Sequence, residues 1–332
     1  MLVKTMSSSM PAIAFLVLMM VLLFPPMAKA EISAEDVENA HSFAEGGEGI
    51  DPALIRLQVL LDRSRFSPGV IDGLHGDNVA KAIAAYEQAN GLEADGKPDN
   101  ALLAKLTAED GEPVLTRYAI KAEDVDGPFL EAVPEKLEDM AKLDSLSYTS
   151  PRELLAEKFH MDEDLLEALN PGADLSKAGT EITVARVSLR EAKETVTRIE
   201  IDKVKGALFA YGEEGELAAF YPATIGSEGM PSPTGTHEVR TVASEPKYYY
   251  NPEKLNFSGV EAEGLLEIAA GPNNPVGSVW IDLSKETYGI HGTPEPSLIA
   301  KSQSHGCVRL TNWDAEELSK MVKKGTSVTF LE

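Results

Sequence analysis

The spacing of apolar residues changes along the chain, and this change limits the possible folds more than any other feature. Between 51 and 108, apolar residues recur every three or four positions, as on one face of an amphipathic helix. From about Thr195 onward, polar and apolar residues alternate, and Gly- and Pro-rich connections separate the runs, as in a domain of short strands. The 332 residues therefore predict two or three domains, with helical modules first and a mainly-β, sandwich-like domain last.

The first thirty residues have the layout of a secretory signal peptide. Lys4 precedes an apolar run over 12–24, and the small-residue pattern Ala28-Lys29-Ala30 follows it. A membrane anchor is the alternative, but thirteen apolar residues are fewer than the ~20 that span a bilayer. We therefore predict that residues 1–30 are removed, and that the mature protein is periplasmic and has no membrane span.

The charge balance excludes several functions. Lys and Arg number 30 and Asp and Glu number 54, so the formal net charge is −24. This charge argues against nucleic-acid binding, because the phosphates of nucleic acid require a basic surface.

The acidic, Gly-rich stretch 31–50 predicts a linker. The one cysteine, Cys307, excludes an internal disulfide and a cysteine-rich metal site. We expect no metal and no cofactor, because no cluster of His, Asp and Glu has the spacing of metal ligands.

Residues 51–108 predict a small bundle of three helices. Asp51 can cap the first helix, the second covers 77–89, and a short third helix covers 100–106. This segment resembles the three-helix peptidoglycan-binding family in three motifs, which are Leu57-Gln58, Gly69-Val70-Ile71-Asp72-Gly73 and Asp95-Gly96. The resemblance implies binding to glycan or to stem peptides. The alternative is that these residues only build turns and core, because Asp-Gly is a favoured turn pair in any protein.

Residues 115–187 predict a strand, two helices and a closing strand. The helices cover 151–159 and 162–169, and Asn170-Pro171-Gly172 ends the second one. This order resembles a LysM domain, a family that binds glycans containing N-acetylglucosamine. A long polar insertion between the first strand and the first helix departs from the compact pattern of that family. The segment therefore predicts either a glycan-binding domain or a spacer.

Two short segments between Tyr288 and Leu310 carry the residue types of nucleophilic catalysis. Cys307 lies two residues after His305, and His291 stands in an Ile-His-Gly turn. A cysteine needs a base or a cationic neighbour to be a thiolate near neutral pH. Both histidines are therefore candidates for the partner of Cys307.

The neighbours of the cysteine suggest further roles. Gly306 lets a substrate carbonyl approach the backbone, so that nearby N–H groups can form an oxyanion hole. Arg309 lies on the same side of an extended chain as Cys307 and can hold a carboxylate through paired hydrogen bonds. Alone, each of these residues has a structural explanation, since a free cysteine is commonly a small buried hydrophobe. The remaining histidines are predicted to lie on the surface (His41, His75 and His160) or to be structural (His237).

Together these segments resemble the catalytic domain of the L,D-transpeptidase family over 196–332. The matching residues are His291-Gly292, then Ser304-His305-Gly306-Cys307-Val308-Arg309, with 12 residues between His291 and Ser304, and upstream the turn Pro233-Thr234-Gly235. The resemblance implies that Cys307 is the nucleophile and His291 the base, whose ring the Gly292 carbonyl orients. It also implies that Gly306 stabilises the oxyanion and that four residues bind substrate, namely Ser304, His305, Arg309 and Thr293.

The family relation implies acyl transfer on the tetrapeptide stems of peptidoglycan, at the cell wall. The Cys307 thiolate attacks the carbonyl of the diaminopimelate that precedes a terminal D-alanine, and a thioester forms as D-alanine leaves. An amine of a second stem then gives a 3–3 cross-link, whereas an amine of a protein, such as an outer-membrane protein, gives attachment to the wall. Water would make the protein an L,D-carboxypeptidase or an endopeptidase. A non-catalytic peptidoglycan-binding protein is the alternative from another class.

Overall fold

A computed structural model describes residues 32–44, 49–187, 195–227, 229–254, 260–304 and 306–332, so the predicted signal peptide and His305 lie outside the described residues. The helices are α1 (Ala34–Glu38), α2 (Pro52–Arg63), α3 (Asp77–Ala89), α4 (Asn100–Asp110), α5 (Leu137–Met140), α6 (Pro151–Lys158), α7 (Glu163–Leu169) and α8 (Asn312–Met321). The strands are β1 (Leu115–Ala119), β2 (Glu181–Ala185), β3 (Arg198–Asp202), β4 (Ala207–Tyr211), β5 (Leu217–Pro222), β6 (Gly235–Ser244), β7 (Tyr248–Tyr250), β8 (Leu266–Ile268), β9 (Val279–Leu283), β10 (Gly289–His291), β11 (Val308–Arg309) and β12 (Ser327–Leu331). Within these residues, no helix combines the length and the apolar character that crossing a bilayer requires.

The helices predicted within 51–108 are confirmed as α2, α3 and α4. Asp51 caps α2, because its carboxylate accepts a hydrogen bond from the Ala53 N–H (2.8 Å). The buried Gln58 side chain accepts a hydrogen bond from the Gly73 N–H (2.7 Å) and donates one to the Asp72 carboxylate (2.8 Å). These motif residues therefore hold the turn after α2 closed, which favours the structural explanation for this part of the motif.

The prediction of a linker over 31–50 is wrong for its first part, because α1 packs against the following segments. A capping box closes the N-terminus of this helix. Val37 is fully buried in the core, and the Glu38 carboxylate accepts a hydrogen bond from the Leu115 N–H (2.7 Å). The burial of Val37 and the hydrogen bond of Glu38 attach this acidic stretch to the rest of the chain, and its composition indicates neither contact.

Residues 115–187 have the predicted order of elements. β1 and β2 pair in antiparallel fashion, and α6 and α7 lie between them in sequence. The side chain of Asn170, after α7, donates to the Leu166 and Thr183 carbonyls and accepts from the Thr183 N–H (2.6 Å). This buried amide therefore ties the second helix to the closing strand. The insertion between β1 and α6 contains α5.

The C-terminal domain is mainly β, as predicted, but the sandwich-like arrangement is wrong. Among the described residues, eight strands form one mixed sheet in the order β11-β10-β9-β6-β12-β3-β4-β5, with β10–β11 and β12–β3 parallel. The sheet is continuous because the start of the long strand β6 pairs with β12 and its end pairs with β9. A register shift lies between Val239 and Thr241 of β6. Such a bulge bends a strand and increases its twist, so one sheet curls where two stacked sheets were expected.

The outer strands β4 and β5 of the sheet contribute residues to the apolar core of the N-terminal helices, whereas the rest of the sheet has a second core. The Ser67 N–H donates to the Phe220 carbonyl (2.9 Å), and the Phe220 N–H donates to the Arg65 carbonyl (2.8 Å). These hydrogen bonds cover the outer edge of β5, which would otherwise present unpaired backbone groups. Phe209 and Phe220 belong to the same buried cluster as the apolar residues of α2, α6 and α7. The segments that were predicted as separate modules are therefore packed together.

The prediction that His160 lies on the surface is wrong. Its Nδ1 lies 3.0 Å from Asp62 Oδ1 in α2, and its ring stacks on that of Trp313 in α8, with centroids 5.0 Å apart. Three segments that are far apart in sequence therefore meet at this imidazole. No local pattern indicates such a contact, because each partner belongs to a different element.

We predict that Phe220→Ala destabilises the N-terminal helices together with the sheet. Truncating a buried phenylalanine costs about 3–5 kcal/mol of unfolding free energy. Urea unfolding should be followed by far-ultraviolet circular dichroism, which is dominated by the helices, and by the fluorescence of Trp280 and Trp313, the two tryptophans of the chain. Both signals should shift by the same amount.

Tyr249→Ala is the control, because this side chain is 51% exposed and should leave both transitions unchanged. Two separate transitions in the Phe220→Ala protein, of which only the fluorescence transition moves, would contradict a shared core.

Candidate active site

Strand pairing brings the two predicted catalytic segments together. β10 ends at His291, and β11 begins directly after Cys307. The two strands are parallel, with Ile290 opposite Val308 and His291 opposite Arg309. Because adjacent strands lie ~4.8 Å apart, the base and the cation predicted from sequence are direct neighbours across the sheet.

A cleft of about 580 Å³ lies at this edge of the sheet. The predicted site residues that line it are Cys307, His291, Arg309 and Ser304. The rest of the lining is mostly apolar or aromatic and comes from several loops, with Leu137, Gly229, Met230, Pro231, Tyr248, Lys254, Val260, Pro275, Val276, Trp280, Thr287 and Tyr288. Apolar walls with a few polar groups are typical of substrate pockets. In the part of the chain that the structure describes, no group of three or more His, Cys, Asp and Glu side chains is arranged to hold a metal ion.

His291 is a neutral imidazole with its proton on Nδ1. This nitrogen lies 2.6 Å from the Gly292 carbonyl oxygen, which can only accept a hydrogen bond, so Nδ1 donates. The residue is 3% exposed, and Trp280 stacks on its ring with centroids 5.5 Å apart. Burial, followed by the charge of Arg309, lowers the pKa of His291 to about 3. Nε2 is therefore unprotonated near neutral pH and can accept a proton.

Cys307 is half-buried, and its thiol is neutral at rest. Burial raises the pKa of this thiol, and a backbone hydrogen bond from Gly289 and the charge of Arg309 oppose the shift only in part. The thiol donates to the Thr287 carbonyl oxygen, which lies 3.7 Å from Sγ. For the resting thiol, burial therefore outweighs the cationic neighbour.

The turn before Cys307 is closed by its own polar groups. Ser304 Oγ donates to the Cys307 carbonyl (2.5 Å) and accepts a hydrogen bond from the Gly306 N–H (3.1 Å). Gly306 has a φ of +111°, and a Cβ at this position would lie 2.8 Å from the Tyr288 ring, so the turn requires glycine here. Because the Gly306 N–H is used inside the turn, this amide is not placed as the oxyanion donor that the sequence predicts. The hydroxyl of Ser304 is likewise committed to the turn.

Thr293, another predicted substrate-binding residue, does not line the observed cleft. Thr293 is 4% exposed, its hydroxyl accepts a hydrogen bond from the Glu295 N–H (3.2 Å), and it is absent from the cleft lining. The structure therefore gives Thr293 a role in shaping the loop after His291. His305 lies outside the described residues, so its predicted role stays a prediction.

Asn312 connects the loop after His291 to helix α6. A Cβ on Gly292 would lie 2.2 Å from Asn312 Oδ1, so this loop packs directly on the asparagine amide. The amide in turn donates to the Glu157 carboxyl group of α6 (2.9 Å). Burial raises the pKa of Glu157 to about 8, so this group is largely protonated at neutral pH.

Trp280 and Tyr248 are cleft residues that the sequence analysis missed. Trp280 lies opposite His291 in the β9–β10 register, and a Cβ on Gly289 would lie 2.5 Å from its indole ring. Burial raises the pKa of Tyr248, so its phenol keeps its proton and can donate a hydrogen bond. The alternation Val279-Trp280-Ile281-Asp282-Leu283 indicates a strand and was the available signal for Trp280. No local pattern indicates that Tyr248 reaches the cleft.

A cysteine and a neutral histidine in one apolar cleft are the groups that a cysteine-dependent acyltransferase requires. Comparison with known families shows which cysteine-dependent acyltransferase family the chain matches. Residues 196–330 match the family model of the L,D-transpeptidase catalytic domain, and residues 51–106 match that of a putative peptidoglycan-binding domain. The chain therefore carries a catalytic domain of the L,D-transpeptidase family, which acts on peptidoglycan, behind a peptidoglycan-binding domain. The LysM-like nature of 115–187 stays a prediction.

Relatives with the same domain have similar sequences. The putative L,D-transpeptidase YkuD of Bacillus licheniformis is 28% identical over 177 residues, which are 53% of this chain and 91% of the relative. The probable L,D-transpeptidase YbiS of Escherichia coli is 30% identical over 191 residues, which are 55% of this chain and 61% of the relative. A crystal structure of L,D-transpeptidase 3 from Mycobacterium tuberculosis with a faropenem-derived adduct aligns with 47% of this chain and 75% of its own, at 13% identity and a TM-score of 0.35.

We predict that His291 stays neutral, with its proton on Nδ1, between about pH 5 and pH 8, because its pKa is about 3. Nitrogen NMR of the imidazole reports both charge and tautomer, and His291→Gln assigns the resonance. Arg309→Gln should raise the pKa, because it removes the cation that is the second cause of the shift. A native His291 resonance that titrates near the ordinary value of 6.5 would contradict the neutral resting state.

Proposed function

We propose that this protein is a peptidoglycan L,D-transpeptidase that acts on tetrapeptide stems through a Cys307 thioester. In this proposal it forms 3–3 cross-links or attaches a protein to the cell wall. The observation that carries the proposal is that Cys307, His291 and Arg309 line the same cleft. Export through the predicted signal peptide, residues 1–30, would bring the protein to the periplasm, where its substrate lies.

Acylation begins with a proton transfer within the neutral pair. His291 Nε2 accepts the Cys307 proton as Sγ attacks the carbonyl carbon between diaminopimelate and D-alanine. The tetrahedral intermediate then collapses, the carbon–nitrogen bond breaks, and His291 returns the proton to the departing D-alanine amine. A thioester on Cys307 remains. At neutral pH the His291 imidazole is already in the form that accepts a proton, although a pKa of about 3 makes it a weak base.

The second half of the reaction releases the acyl group. An acceptor amine attacks the thioester, His291 takes the proton of the amine, and the Cys307 sulfur leaves and regains that proton. The guanidinium of Arg309 binds a substrate carboxylate through paired hydrogen bonds. Because the Gly306 amide is used inside the turn, the oxyanion requires another donor, and the protonated phenol of Tyr248 in the same cleft is one candidate.

The N-terminal segments would hold the cleft close to its substrate. The peptidoglycan-binding domain, together with the LysM-like segment 115–187, would tether the enzyme to the wall and so raise the effective concentration of stems. Their shared core with the sheet supports this role, because a tether that is packed against the catalytic domain also orients it.

We predict that Cys307→Ser abolishes turnover without unfolding the protein. A serine hydroxyl is similar in size to the thiol, but it stays protonated beside a base suited to thiol chemistry. The measurement is mass analysis of purified tetrapeptide muropeptides after incubation with the protein. The native enzyme should release D-alanine and form dimers, and Ser302→Ala, in the exposed part of the same loop, should behave like the native enzyme.

The products distinguish the open alternatives. Release of D-alanine without dimers would make the protein a carboxypeptidase, and cleavage of dimers would make it an endopeptidase. Release of D-alanine by the Cys307→Ser protein above background would refute Cys307 as the nucleophile.

We predict that the complete Cys307→Ser protein binds insoluble peptidoglycan, and that binding strengthens as salt rises. A net charge of −24 repels the wall carboxylates, and salt screens this repulsion. The complete chain is required because its N-terminal segments share a core with β4 and β5. Sedimentation with sacculi measures the bound fraction. Protein that stays in the supernatant at every salt concentration would make the N-terminal segments spacers.

A further inference from the structure

Residues 120–150 form the insertion between β1 and α6. They belong to the LysM-like segment in sequence, but they pack on the catalytic domain. The Leu146 N–H donates to the Ala270 carbonyl (3.0 Å), and the Leu146 carbonyl accepts from the Asn273 N–H (2.9 Å). The Asn273 side chain also donates to the Ser147 carbonyl (3.0 Å). The end of the insertion is therefore bound to the catalytic domain by main-chain hydrogen bonds in both directions.

The two segments are shaped for this close approach. A Cβ on Gly271 would lie 2.2 Å from the Leu146 carbonyl oxygen, so only glycine allows the contact. The Leu146 side chain is fully buried, as is that of Ile268 in β8. The insertion is therefore a packed part of the catalytic domain, although it belongs to the preceding segment in sequence.

A second attachment lies at α5. The Glu138 carboxylate accepts a hydrogen bond from the Glu261 N–H (2.7 Å), and α5 packs against β8. β8 pairs with β7, and β7 carries Tyr248, which lines the cleft. The insertion therefore supports the hairpin that forms one side of the active site.

Leu137, the first residue of α5, itself lines the cleft that contains Cys307. It is half-buried, and the apolar residues Val260 and Val276 line the same cavity. Arg309 supplies a cationic group to the same lining, whereas the ammonium of Lys254, which also lines the cleft, is paired with the Glu286 carboxylate (2.6 Å). The cleft therefore suits a ligand that has both a carboxylate and aliphatic carbon atoms.

We infer that Leu137 is a specificity-determining residue, which packs on an aliphatic part of the peptidic acyl donor while the donor carbonyl lies at Cys307. This inference rests on the proposed function, because it assigns a contact to the substrate of that reaction. Its physical basis is that a ligand binds about tenfold more weakly, or weaker still, when one of its methylene groups loses its apolar contact in a pocket.

The test is steady-state kinetics of the complete enzyme with purified tetrapeptide muropeptides. Leu137→Ala should raise KM about tenfold and leave kcat within about twofold, because the contact lies away from the reacting atoms. Leu137→Met, which keeps the apolar volume, should restore the native KM. Leu143→Ala is the matched control, because Leu143 is half-buried in the same insertion but does not line the cleft.

Alkylation of Cys307 by iodoacetamide separates a lost substrate contact from a disturbed site. The rate should be unchanged in Leu137→Ala, because this small reagent does not need the apolar wall. If Leu137→Ala loses thermal stability, Leu137→Gln and Leu137→Met carry the test, since both keep the side-chain volume and only the glutamine should raise KM.

The outcomes separate this inference from the proposed function. If the enzyme is active but its Leu137 variants keep the native KM, this inference alone is overturned. The same holds if Cys307 alkylation in those variants falls together with kcat. A native protein that alkylates normally but releases no D-alanine from any muropeptide overturns the proposed function, and this inference with it.

Discussion

The apolar core that the N-terminal helices share with the edge strand β5 determines where the other parts of the molecule lie. Main-chain hydrogen bonds between Phe220 and the segment after α2 cover this edge, and the aromatic rings of Phe209 and Phe220 join the cluster of the helices. An uncovered edge strand would present unpaired donors and acceptors to other chains. The same contact therefore removes a site of aggregation and fixes α6 next to the catalytic domain.

From this core a chain of contacts reaches the predicted catalytic residues. Helix α6 belongs to the shared cluster, and its Glu157 holds Asn312, on which the Gly292 loop packs. The carbonyl of Gly292 sets the tautomer of His291, and Trp280 fixes the plane of the ring. The geometry of the base thus depends on a helix that precedes it by more than a hundred residues. Burial lowers the pKa of His291 and raises that of Cys307, so both groups are neutral at rest, and in the proposed reaction proton transfer accompanies attack instead of preceding it.

Local signals predicted the regular elements well. Caps and apolar periods placed α2 and α3, and the helices predicted over 151–159 and 162–169 coincide with α6 and α7 within a residue or two. The predictions failed where distant contacts decide. The stretch 31–50 has the composition of a linker but includes a docked helix, and His160 has no local sign of its contacts with Asp62 and Trp313. The sandwich was expected because alternation reveals strands but does not reveal how β6 joins the two halves of one sheet.

The amino-acid sequence by itself determined the chemical groups of the site, because Cys307, His291 and Arg309 stand in short motifs whose meaning is local. Only the tertiary structure decided their protonation, since burial among residues from several elements raises one pKa and lowers another. It also decided that Thr293 leaves the cleft and that Trp280, Tyr248 and Leu137 enter it. The physical reason is that motifs encode neighbours along the chain, whereas desolvation and cleft shape arise from neighbours in space, which strand register and core packing bring together.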